Sequence, residues 1–95
     1  MTPPPTAIQL RNRACTVLGV RLDQLQGETR HPKVMQARMV LAVLLRDEEF
    51  LPLDCIADMV RPGRSHSSVE WLVRRGRADA GVMELVAAIV WKAKE

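Results

Sequence analysis

Apolar residues recur along this chain at helical spacing, and no run shows the strict alternation of a half-buried strand. Ala7, Leu10, Ala14, Val17 and Leu18 form a first stripe, which Gly19 is placed to end in a left-handed cap. Leu22 and Leu25 lie one turn apart in a short piece closed by Gly27. Pro32 suits the first turn of a third helix, where its missing N–H costs nothing. From Val34 to Leu45 only Gln36 and Arg38 interrupt the apolar residues, so this helix is predicted to be the central one and to run to about Asp47.

A fourth helix is predicted from Pro52 to Val60, with Leu53, Ile56, Ala57 and Val60 on one face. Arg61-Pro62-Gly63 breaks the chain. Ser65 is then a candidate N-cap for a fifth helix reaching about Gly76, with Val69, Leu72 and Val73 turned inward. Asp79 can cap a last helix from about Ala80 to Lys92, where Lys92 and Lys94 complement the C-terminal dipole. The prediction is an all-α bundle of about five to six helices in one domain, residues 7–95. Before it stands a proline-rich tail, residues 1–6, expected to be extended and disordered.

Composition narrows the function classes. With 95 residues there is material for one core only. No apolar run approaches the roughly 20 residues of a membrane span. The first residues lack the basic-then-apolar plan of a signal peptide, so a cytoplasmic protein is expected. Cys15 and Cys55 are then reduced, and read as small buried apolar residues. Cys15, His31, Cys55 and His66 are too scattered for a zinc site, and no base, nucleophile or phosphate-binding glycine loop suggests an enzyme. Neither a metal, a cofactor nor a small-molecule substrate is expected.

The net charge of +3 is modest, but its distribution is not even. Asp47, Glu48, Glu49, Asp54 and Asp58 crowd the middle of the chain. Arg61, Arg64, Arg74, Arg75 and Arg77 follow, offset only by Glu70. A segregated basic surface attracts polyanions.

Two short helices joined by a three- or four-residue turn containing glycine make a helix-turn-helix candidate, whose second helix would enter the major groove of DNA leading end first. Arg64, Ser65, His66, Ser67 and Ser68 occupy that end. Arginine pairs with O6 and N7 of guanine, hydroxyls reach bases or phosphates, and a helix N-terminus favours phosphate. Arg74, Arg75 and Arg77 come later and read either as a solvated face or as phosphate contacts. Trp71 reads as helix packing or as a stacking platform. The last helix, from Val82 to Trp91, has little polar face, which leaves it buried or in contact with a second copy or another protein.

These residues carry a family resemblance. Arg30, Ala37-Arg38-Met39 with the apolar run to Leu45, Pro52-Leu53-Asp54-Cys55-Ile56-Ala57, and Gly63-Arg64-Ser65-His66-Ser67-Ser68-Val69 follow in order. They resemble the basic loop, the Ala-Arg-Gln helix, the Ser-Leu-Pro-x-Ile-Gly helix and the Gly-Gly-Arg-Asp-His-Thr-Thr-Val helix of a known domain. That domain is the C-terminal DNA-binding domain of the bacterial replication initiator DnaA, which has a Trp-repressor-like helix-turn-helix. The similarity runs from about Ala7 to the C-terminus.

The resemblance implies a division of labour. Arg30 would enter the minor groove, Arg64, His66, Ser67 and Ser68 would approach the major groove, and Arg38 and Arg46 would hold the DNA backbone. Arg38 and Arg46 are eight residues apart, about 80° around a helix, which lets both face one duplex. Ser65 stands where the family has aspartate, and the turn is one residue longer. No ATPase motif accompanies the domain, so the resemblance implies a free-standing reader. The expected function is a sequence-specific, non-enzymatic double-stranded-DNA-binding regulator of transcription or replication, associated with the nucleoid. The alternative is a protein-interaction module that kept the fold and binds the replication initiator or another DNA-bound partner.

Overall fold

Five helices pack around a sixth. The computed structural model describes residues 2–93. Its elements are α1 (Pro5–Leu18), α2 (Leu22–Gln26), α3 (Pro32–Asp47), α4 (Leu53–Val60), α5 (His66–Arg77) and α6 (Ala80–Ala93), with no strand among the described residues. Met1 and Lys94, parts of the expected tail and of the expected dipole complement, lie outside those residues.

The near-continuous apolar run becomes α3, which packs against every other helix and most extensively against α5. Val40 through Leu45 are all buried. Each of the leucines among them contributes about 1.5–3 kcal/mol by leaving water. The predicted span of α3 is the observed one. His31 caps its start, Nδ1 accepting from the Lys33 N–H at 3.2 Å.

Most boundaries follow their local chemistry. Gly19 takes φ +69° after α1, and Val20 N–H donates back to the Cys15 carbonyl at 3.0 Å, closing the helix. Asp79 caps α6, its Oδ1 accepting from Val82 N–H at 3.1 Å. Cys15 and Cys55 are free and buried, and burial pushes the Cys15 thiol up while Arg11 opposes it.

Three expectations need correction. Pro5 and Thr6 are not tail but the first turn of α1, since proline's fixed φ suits that position. Ser65 occupies the N-cap position of α5 but makes no side-chain cap bond; only its carbonyl is used, by Ser68 N–H at 3.1 Å. The connection between α4 and α5 spans residues 61–65, longer than the three or four expected.

The expected all-round apolar α6 is in fact two-sided. Val82, Val86 and Ile89 are buried, while Glu84, Ala87, Ala88 and Trp91 face out. Phe50, in the turn from α3 to α4, is exposed and holds φ +54°, a conformation bulky side chains seldom adopt. No helix among the described residues is long and apolar enough to cross a membrane.

Candidate nucleic-acid interface

Where the loop before α3 faces α5, the fold leaves a groove of about 450 Å³. Arg30 and Met35 form one wall, Arg61 and Arg64 come from the α4–α5 turn, and Ser67, Ser68 and Trp71 from α5. Four of the residues expected to meet DNA (Arg30, Arg64, Ser67 and Ser68) are therefore gathered around one space. Its lining mixes apolar side chains (Met35, Trp71 and Leu72) with arginines, which suits a ligand with flat or sugar-like parts and phosphates.

Both walls are anchored. Arg38 holds the first, and here the structure overturns an expectation. Arg38 was expected on the DNA backbone, but its side chain is 0% exposed and cannot reach a ligand. Its Nε donates to the Leu25 carbonyl at 2.8 Å, Nη1 to Thr29 at 2.7 Å, and Nη2 to Gly27 at 2.9 Å and Gln24 at 3.2 Å. A guanidinium satisfies these diverging carbonyls because its donors are fixed in a planar fork. The loop bearing Glu28 and Arg30 is thus folded around a buried cation. Desolvation, foremost, and then the charge of Arg61 lower the proton affinity of Arg38; Arg64 and Arg30 act in the same direction and Glu28 against it.

The second wall is set by the turn. Gly63 has φ +83°, which glycine adopts without strain. Arg64 N–H donates to the Arg61 carbonyl at 3.1 Å, and Gln26 Nε2 to the Met59 carbonyl at 2.8 Å ties α2 to the end of α4.

Arg61 escaped the expected contacts. It was read as part of a chain break and of a basic stretch, and its position three residues before Arg64 was the only further signal. Partial burial lowers its proton affinity first, and Arg64 and Arg30 add to this while Glu28 opposes. Arg61 therefore feels the charge of Arg64 and Arg30, and Glu28 partly relieves it. Its Oε2 lies 2.9 Å from Arg64 Nη2.

Trp71 resolves in favour of the groove. It is 52% exposed, because it lies on the side of α5 away from Val69, Leu72, Val73 and Gly76, which pack inward. His66 stands outside the groove wall and pairs with Asp54, Nδ1 to Oδ1 at 3.3 Å.

Arg46 is separate from the others. It lines a second hollow with Val73, Arg74 and Arg77, residues on the opposite flank of α5 from Ser68 and Trp71. Its Nη1 donates to the Leu51 carbonyl at 2.8 Å, which steadies the turn after α3. Acids balance the arginines there: Arg74 bonds Glu70 at 2.8 Å, and Arg77 pairs with Asp47 through two nitrogens. The Asp47 hydrogen bond holds the Arg77 pKa up. The two flanks of α5 thus differ: one is nearly compensated, while on the other Arg30, Arg61 and Arg64 line the groove against one carboxylate and the exposed Arg75 lies one turn beyond Trp71.

Among the described residues no group of three His, Cys, Asp or Glu is arranged to hold a metal. No protein-family model, curated protein or solved structure matches the chain.

Proposed function

We propose that the protein binds double-stranded DNA, with the leading end of α5 toward the bases and the groove beside it holding one phosphate strand. The observation that carries this reading is the convergence of Arg30, Arg61 and Arg64 on the flank of α5 where Ser67, Ser68 and Trp71 are exposed. A cationic rim in excess of its one carboxylate, next to an exposed helix start, is the arrangement that phosphate positioning and base reading require together. The resemblance to the DnaA C-terminal domain agrees with it for Arg30, Arg64, Ser67 and Ser68. Arg38 is removed from the interface and Arg61 and Trp71 are added. The role is that of a non-enzymatic regulator of transcription or replication.

Selection of bound duplexes from a randomised pool, by the full chain, tests this directly. An enriched motif is expected, and Arg64→Gln should weaken binding to it by about 1–3 kcal/mol, roughly ten- to a hundredfold. A pool without enrichment, or unchanged affinity for the variant, contradicts the reading.

A second reading, a contact with another protein chain through α6, is favoured by one observation. Trp91 is 70% exposed beside the outward Ala87 and Ala88.

A further inference from the structure

We propose, on the reading of the groove as a polyanion site, that Glu28 is a specificity-determining residue: a built-in anion on Arg64 that nucleic acid must displace. Its carboxylate joins an arginine 36 residues away, 2.9 Å from Nη2. No acidic residue among those described lines the groove itself, so the counter-charge comes from this side chain on the neighbouring loop, through its pair with Arg64. Among the described residues it is the carboxylate whose field acts on both Arg38 and Arg61.

The base of Glu28 is fixed while its tip is free. The carbonyls on either side of it, of Gly27 and Thr29, are both held by the buried Arg38 guanidinium. Yet its side chain is 88% exposed and that of Arg64 40%, so the ion pair lies in solvent and opens at little cost. A carboxylate tethered this close competes for Arg64 at high effective concentration. A polyanion lying loosely across the groove gains little from that arginine and is repelled by Glu28. A duplex that places a guanine edge or a phosphate against Arg64 compensates for the displaced pair. Penalising the loose complex more than the fitted one raises discrimination.

The experiment compares the full-length wild type with Glu28→Gln, and with Glu84→Gln as a control that removes the same charge from the exposed side of α6. Each is eluted from heparin by salt, then titrated with a random-sequence duplex and with a selected duplex. Glu28→Gln should elute later than both other proteins. It should bind the random duplex roughly two- to fivefold more tightly than wild type, with a log–log salt slope steeper by about 0.9. The selected duplex should gain less, so that the specificity ratio falls.

If Glu28→Gln behaves like Glu84→Gln on heparin and on DNA, the proposal is overturned. Equal gains on the two duplexes overturn the specificity role. If heparin separates the variants as expected while no protein binds duplex, Glu28 keeps its place as the internal anion and the DNA reading falls.

Discussion

At the scale of single residues, Arg38 governs the most structure. A buried guanidinium loses its hydration, and here carbonyl oxygens from Gln24, Leu25, Gly27 and Thr29 replace it. Charge-assisted bonds of this kind contribute about 1.5–3 kcal/mol each, and an orphaned buried carbonyl costs a comparable amount. Arg38→Leu should therefore lower stability by about 2–4 kcal/mol in urea denaturation. Arg38→Lys should recover little of it, because one ammonium cannot reach the same diverging acceptors. A loss below about 0.5 kcal/mol, the level of ordinary surface changes, would mean that the loop holds itself. The sequence shows that Arg38 interrupts an apolar run, and the resemblance implied a contact with the DNA backbone rather than the core role that the structure gives it. Which one holds depends on where the loop before α3 goes, and that loop has no periodicity to read.

Among the elements, the helices were the most legible part of the fold. Pro32, Gly19 and Asp79 each mark a boundary by local chemistry, and the structure puts the boundary there. Side-chain exposure was less legible where it depends on a neighbouring helix. Trp71 lies opposite the inward stripe of Val69, Leu72 and Val73, which puts it outside the packing, but only the placement of the loop before α3 makes it part of a groove. Gly76 sits where α5 packs closely on α3. A Cβ there would lie 2.8 Å from Val43 Cγ2 and 3.2 Å from the Met39 carbonyl oxygen. The stiff, β-branched Val43 must shift, and the Met39 backbone beside it has little room to give. Gly76→Ala should cost about 1–3 kcal/mol as overpacking, even though alanine is the better helix former. Thermal or urea unfolding checks this, and a stabilised variant would show that α5 lies farther from α3 than described.

For the whole molecule, charge placement matters more than net charge. The excess of three positive charges suggests weak attraction to polyanions anywhere on the surface. The fold instead sorts the arginines. Arg38 is sealed in the core, while Arg46, Arg74 and Arg77 lie on the flank where Glu70 and Asp47 compensate. Arg30, Arg61 and Arg64 line the opposite flank with Glu28 alone against them. Linear charge counting placed the basic stretch correctly in the chain. It did not separate its two faces, because residues one step apart on α5 point about 100° away from each other.

The most direct measurement is the affinity of the full chain for a duplex as a function of salt, with Arg30→Gln and Arg46→Gln beside the wild type. Three cations offset by one carboxylate amount to about two or three neutralised phosphates, and thus a log–log slope of about −2 to −3. Arg30→Gln should flatten it by about 0.9, and Arg46→Gln should leave it unchanged. No salt-dependent binding, or a slope that Arg46→Gln changes and Arg30→Gln does not, would contradict DNA binding through this groove.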